Sequence, residues 1–291
     1  MASTARKKTL WWVAAFVGPA LVLIIGLRLV PFGQAISSSL RSAPFGPLGP
    51  VEFVGLNNYA SIFSQPEFRS TVLRTLVFTV IINPVQIFLA LLVALLVRQK
   101  VYGRNFWRLL VFIPTTIPIV GASILAGIAL RGDGPINAVL GLVGIREQPF
   151  FNSAGQALPA IIMVASWIGI GYWMVFIIAG LDDVEPEIYE AARVDGAGAM
   201  RTFLSITLPL LKRPLLFVLV ADTVANFVLF VPIQILTNGG PESSTTLLMF
   251  DIYRQTYQYS NPSLGATETV VLTAIMLVTV AVQFRLMRDD H

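Results

Sequence analysis

Apolar residues run through this chain in long, nearly uninterrupted stretches separated by shorter polar segments that carry most of the charge. A bilayer-crossing helix needs roughly 20 consecutive, predominantly apolar residues, and six stretches approach or exceed that length. They are predicted at residues 10–32, 71–97, 109–130, 158–181, 214–236 and 267–284. The sixth is short and opens near Glu268. The pattern predicts an all-α polytopic membrane protein with six transmembrane helices, preceded by a short N-terminal flank, 1–9, and forming a single membrane domain over 10–291. Residues 182–213, the longest strongly charged connection, lie between the fourth and fifth spans.

Composition narrows this further. The chain is 55% hydrophobic and 12% charged, about half the charged fraction of an ordinary soluble domain. With no cysteine there are no disulfides, thiol nucleophiles or thiolate metal sites. The one histidine is the C-terminal residue, which removes the usual general base and the commonest metal ligand. No catalytic and no metal-binding residues are therefore expected.

The net charge of +4 does not point to nucleic acid, because the basic residues are distributed by side. One set of flanks holds Arg6, Lys7, Lys8, Arg98, Lys100, Arg104, Arg108, Arg193, Arg201, Lys212, Arg213, Arg285 and Arg288. The other holds Arg28, Arg41, Arg69, Arg74, Arg131, Arg146 and Arg254. The first set contains all the lysines and is read as cytoplasmic, so both termini lie inside. No small-residue cleavage pattern follows Arg6–Lys8, and the first apolar run is read as a retained helix. On the opposite side, Ser42–Pro50 reads as an irregular crossing, Phe53–Phe68 as a short surface helix, and Asn238-Gly239-Gly240-Pro241 as a turn.

The connection 182–213 reads as two short helices around a glycine elbow. Asp182 or Asp183 is suited to cap the first, Pro186 to an early helical position, and Glu185 and Glu187 to the positive helix end. Gly196 and Gly198 break the helix, with little bulk at Ala197 and Ala199. Met200, Phe203, Leu204 and Thr207 then recur at helical spacing. An apolar face outside the membrane, flanked by Glu190, Arg193, Asp195 and Arg201, reads as a protein docking site.

Here the chain resembles a known family. Glu190-Ala191-Ala192, Asp195-Gly196-Ala197, eight further residues to Ile206, then Leu208-Pro209 match the EAA loop of ABC-importer permeases. Phe53-Val54-Gly55-Leu56-Asn57-Asn58-Tyr59, Gly103-Arg104-Asn105-Phe106-Trp107-Arg108 and Leu236-Thr237-Asn238-Gly239-Gly240-Pro241 resemble the carbohydrate-type branch, as in maltose and glycerol-3-phosphate importers. The resemblance implies a type I ABC-importer permease fold in a bacterial inner membrane. It also implies a second permease subunit, two ABC ATPase subunits and an extracytoplasmic solute-binding protein or lipoprotein. Glu190, Ala191, Ala192, Asp195, Gly196, Ala197, Met200 and Phe203 would receive the ATPase. The chain has no G-x-x-x-x-G-K-[ST] phosphate cradle, so ATP and Mg belong to the partners and this chain carries no cofactor.

Polar groups at membrane depth are costly and face the bundle interior. Asp222 and Asn226 lie four residues apart on one helix face. In the fourth span Trp167, Gly169, Gly171, Tyr172 and Trp173 set aromatics beside glycines, as stacking on sugar faces requires. The resemblance places solute contacts at Ile168, Gly169, Tyr172, Asp222 and Asn226, and Trp167 joins them from the aromatic pattern. Asp222 departs from the family, which has a small hydroxyl there. It favours a neutral or amino-bearing saccharide over a glycerophosphodiester or glycerol-3-phosphate. Asn83, Pro84 and Gln86, with Ser123 and Gln234, read first as helix–helix hydrogen bonds or kinks, and Pro114 and Pro118 as bends. A secondary transporter, the rival class, requires several buried carboxylates or an inverted repeat, and neither is evident.

Overall fold

The computed structural model describes residues 15–42, 51–98 and 103–287. The basic residues Arg6, Lys7, Lys8, Lys100 and Arg288, the start of the expected span 10–32 and positions 43–50 lie outside the described residues. Among those described there is no β-strand, only a single antiparallel bridge between Arg41 and Phe53.

Four helices are long and apolar enough to cross a membrane: α1 (Ala15–Ser39), α3 (Pro66–Arg98), α7 (Ala154–Asp182) and α13 (Pro262–Met287). Two bent helix pairs have the same length and apolar character, and with each counted as one span the total reaches six. The third expected span, 109–130, is not one helix: α4 (Arg104–Thr116) and α5 (Ile119–Ala129) meet at 104°. Pro118 lacks an N–H and crowds the residue before it out of the helical region; Ile117 and Pro118 accordingly take extended ψ values of 132° and 133°. Pro84, by contrast, lies within an unbroken α3. The fifth expected span, 214–236, is also divided. The segment α9 (Ala199–Leu210) turns by 65° into α10 (Lys212–Phe227). After Phe227 the chain leaves the helix and restarts as α11 (Val231–Leu236), whose second position is Pro232, a place where a missing N–H costs nothing.

The shorter elements are α2 (Asn57–Ser64), α6 (Pro135–Leu142), α8 (Pro186–Val194) and α12 (Leu248–Tyr253), the last continued by a wider turn over Arg254–Gln258. α2 lies within the segment read as a short surface helix.

The chain forms two compact units. One comprises Met1–Pro66 and Ile252–Val271. Within it, Asn58 Nδ2 donates to the carbonyls of Ser39 and Arg41 at 2.8 and 2.9 Å, and Ser39 and Tyr59 share a hydroxyl hydrogen bond of 2.7 Å. These bonds fix α2 to the end of α1, whose apolar side chains are otherwise exposed.

The other unit, Glu67–Asp251 with Leu272–His291, holds the main core. Ala90 and Ala94 of α3, Met174, Ile177 and Leu181 of α7, and Leu211 with Val218 of α10 bury one end. Phe78 and Ile82 of α3, Ile161 of α7, Ile233, Leu247 and Phe250 bury the other. α4 lies tight along α7 because Gly171 has no side chain. A Cβ there would stand 2.4 Å from the Val111 carbonyl and 3.0 Å from the Phe112 Cα. That approach lets Thr115 Oγ1 donate to the Ile168 carbonyl at 2.8 Å. Small residues at close helix contacts are what membrane packing selects.

Candidate functional site

Two groups of residues are the candidates for function. The first is the elbow between α8 and α9. Glu185, not Asp182 or Asp183, occupies the N-cap of α8, without a side-chain cap; Pro186 opens the helix and Glu187 lies in its first turn. Asp182 instead ends α7 and pairs with Arg98 at 3.3 Å. At the far end of α8, the Ala197 N–H donates to the Ala192 carbonyl (2.9 Å) and the Gly196 N–H to the Arg193 carbonyl (3.1 Å). This pair of bonds closes the helix around a left-handed residue, and that residue is Gly196, φ +72°. Gly198 then caps α9 with extended backbone.

The elbow presents an exposed surface. Glu190, Ala191, Asp195, Gly196 and Met200 are exposed, Ala197 and Phe203 half-buried, and Ala192 buried as the anchor. Val194 is 87% and Met200 69% exposed. Behind this face the Arg98 guanidinium sits 5.6 Å above the Tyr189 ring, and Thr207 Oγ1 donates to the Tyr189 hydroxyl at 3.4 Å. The elbow is thereby tied to the ends of α3 and α7. An apolar cavity of about 900 Å³ opens there between α3 and α9, lined among others by Phe88, Leu92, Tyr189 and Phe203.

The second group is a buried polar cluster. Asp222, Thr223 and Asn226 of α10 are at most 5% exposed, as are Asn83 and Gln86 of α3. Asn226 Nδ2 donates to Asn83 Oδ1 (2.8 Å) and to Gln86 Oε1 (3.0 Å). Asn83 Nδ2 donates to Thr223 Oγ1 at 2.6 Å. From α13, Gln283 Nε2 braces the same hydroxyl at 2.7 Å. Asp222 faces the side chains of Trp173 and Asn226, and its Oδ2 is buried without a partner. Gly169 completes the group from α7: a Cβ there would lie 3.1 Å from Gln86 Nε2.

The residues expected to meet a solute are thus divided. Gly169, Asp222 and Asn226 converge, with Trp173 beside them. Tyr172 stands at the margin, 46% exposed and edge-on to Trp173 at 4.8 Å between ring centroids. Trp167 turns elsewhere, into an apolar cavity of about 590 Å³ lined by Leu125, Ile128, Met163 and neighbours. Ile168 packs toward Ala126, Leu130 and Val164. Asn83 and Gln86 do form helix–helix hydrogen bonds, to the very residue expected to meet solute. Neither Thr223 nor Gln283 stands out in the sequence; a threonine beside a buried aspartate and a lone glutamine late in an apolar run were the available signals. Among the described residues no cluster of three or more His, Cys, Asp or Glu exists that would hold a metal ion.

Comparison with known proteins places these features in context. The family model described as "binding-protein-dependent transport system inner membrane component" matches residues 61–289. The sulfoquinovosyl glycerol transport system permease protein SmoG of Agrobacterium fabrum is 32% identical over 273 residues, covering 94% of this chain and 89% of that one. The sn-glycerol-3-phosphate transport system permease protein UgpA of Salmonella choleraesuis is 32% identical over 278 residues, covering 94% and 93%. A chain in the crystal structure of a bacterial ABC transporter for import of the acidic polysaccharide alginate superposes with a TM-score of 0.76 over 99% of both chains, at 20% identity.

Proposed function

Because the chain belongs to the family of binding-protein-dependent transport system inner membrane components, we propose that it is the permease subunit of an ATP-driven importer for a saccharide or a closely related polyol. The observation that carries this reading is the exposed elbow around Gly196, lying outside the apolar spans and closed by its own backbone hydrogen bonds. A surface of this kind transmits motion only if something docks on it.

In this reading the basic flank set faces the cytoplasm, both termini are inside, and residues 10–291 act as one membrane domain. Two ATPase subunits bind ATP and Mg; one docks on Glu190, Ala191, Asp195, Gly196, Ala197, Met200 and Phe203. This chain performs no hydrolysis itself. A second permease subunit completes the path, and an extracytoplasmic binding protein delivers the solute. ATP-driven closure of the ATPases moves the elbow. α10 joins it through the 65° turn at Leu211, which is fully buried, and so carries that motion to Asp222 and Asn226.

The relatives named for sulfoquinovosyl glycerol and glycerol-3-phosphate support a polyol-bearing solute and keep the phosphorylated one in view. Asp222 favours the uncharged or amine-bearing class, because a carboxylate repels an anion unless a cation stands beside it. The test is co-expression with the neighbouring ATPase, permease and binding-protein genes, followed by reconstitution into proteoliposomes. The expected result is a complex that couples ATP hydrolysis to uptake of a neutral or amino saccharide. Uptake by the purified chain without an ATPase, driven by an ion gradient, would instead establish a secondary transporter. Uptake of glycerol-3-phosphate in preference to the saccharides would establish the phosphorylated solute.

A further inference from the structure

We propose that Thr223 sets the hydrogen-bonding polarity of the solute site, leaving Asn226 as an acceptor beside Asp222. This rests on the functional reading above and adds a residue that does not itself meet the solute.

The protons along the cluster are limited in number. The Thr223 hydroxyl has one, and it donates this to the Leu219 carbonyl at 2.7 Å. Its oxygen is then only an acceptor, and it takes hydrogen bonds from Asn83 Nδ2 and Gln283 Nε2. Asn83 is thereby forced to turn its carbonyl away, toward Asn226. That carbonyl, with Gln86 Oε1, consumes both protons of Asn226 Nδ2, since a side-chain amide has two donors and no more. Rotating Asn226 by half a turn would set its oxygen against two other carbonyl oxygens. Rotating Asn83 would set its oxygen against a hydroxyl whose proton is already used. Each amide has one orientation, and the direction originates at Thr223.

The amide hydrogen bonds of the cluster use Asn226 through its nitrogen and not its carbonyl, and one helical turn earlier Oδ2 of Asp222 is buried without a partner; these two oxygens are what α10 holds for a solute. Both accept. A solute meeting α10 is therefore recognised through donors, hydroxyl or ammonium groups. A phosphate or carboxylate is rejected by an acceptor lining that it cannot satisfy.

The experiment uses the reconstituted complex with three probes: glucosamine, maltose and sn-glycerol-3-phosphate. The quantity read is the ratio of kcat/KM for each saccharide to that for the phosphate. Thr223→Val keeps the branched shape but removes the hydroxyl, frees Asn83 to rotate and releases Asn226. The ratio should fall roughly fivefold, the effect of one neutral hydrogen bond, and Thr223→Ser should restore it. Gln283→Leu removes a brace on the same hydroxyl without touching the path to Asn226; it should lower thermal stability and leave the ratio unchanged. An unchanged ratio in Thr223→Val, or an equal shift in Gln283→Leu, overturns the inference.

If the parent complex transports none of the three probes, a solute-independent arm decides the inference, while the functional reading is decided by whether uptake of any solute depends on the ATPase. The chain has no cysteine, so Tyr172→Cys provides its one thiol at the margin of the site, with cysteine-free partner subunits. A cationic methanethiosulfonate should react faster than an anionic one in the Tyr172→Cys chain. Adding Thr223→Val should shrink that preference, and adding Gln283→Leu should not. No shrinkage with Thr223→Val overturns the inference in this arm.

Discussion

Replacing Gly196 isolates the elbow from everything around it. Its φ of +72° lies in the left-handed region, yet a Cβ built there meets no atom within 4 Å. Substitution therefore introduces no clash, and its cost is conformational alone. For an L-residue that cost is about 1–2 kcal/mol, highest for β-branched side chains and lowest for asparagine, whose short side chain tolerates this region. One to two kcal/mol shifts an equilibrium by roughly 5- to 30-fold. Gly196→Val should thus weaken ATPase docking by about that factor, Gly196→Ala by several-fold, and Gly196→Asn least. The assay is titration of purified ATPase into proteoliposomes containing the permease pair, read as ATPase affinity alongside uptake per ATP hydrolysed. The buried cores lie elsewhere, so thermal stability of the membrane part should move little. Equal docking by Gly196→Val and the parent chain would refute the assignment of this elbow as the coupling element. So would a loss that ranks with side-chain volume rather than with tolerance of positive φ.

Three further outcomes follow from other contacts. Gly171→Ala places a methyl group 2.4 Å from the Val111 carbonyl and must separate α4 from α7, losing the Thr115–Ile168 hydrogen bond; overpacking of this kind costs about 1–3 kcal/mol, measurable as a lowered unfolding midpoint in detergent. Asn137→Ala removes a buried amide that donates to the Arg131 and Gln148 carbonyls and accepts from the Gln148 N–H at 2.8–3.0 Å. It should destabilise the segment after α5 by about 2–3 kcal/mol, seen as faster proteolysis there with ATPase docking unchanged. Asp222→Asn keeps the shape and removes the charge; uptake of an amine-bearing saccharide should fall about tenfold relative to a neutral one, the scale of a charged hydrogen bond. Unchanged uptake and unchanged solute-stimulated ATP hydrolysis across the probes would remove Asp222 from the site.

Legibility in the sequence tracked the distance over which residues act on one another. The elbow was readable because its parts are close neighbours: Ala192, Gly196 and Ala197 make a helix end through bonds no more than five residues apart, and only glycine takes the required φ without strain. The long apolar helices were readable for a similar reason, since length and hydropathy are properties of one segment. The breaks were only partly so. Pro118 was identified as a bend, but a bend and a 104° corner look alike in sequence, and the gap at 228–230 has no proline of its own.

The buried polar cluster proposed to meet solute is the least legible because it depends on partners 140 residues away, Asn83 with Thr223 and Gln86 with Asn226. One part of the division was nonetheless available beforehand. At 100° per residue, Trp167 and Gly169 are 200° apart on a helix, so they cannot both face Gln86, and the structure turns Trp167 into a different cavity. Aromatic content alone groups Trp167 with Gly169 and Tyr172, and the helical period separates it from them. Helical period does not single out Thr223. A threonine in an apolar helix usually bonds back to a carbonyl one turn earlier, and this one does. What makes it directional is that its proton is then spent, so that every amide beyond it is committed in turn, a consequence that exists only once the helices are together.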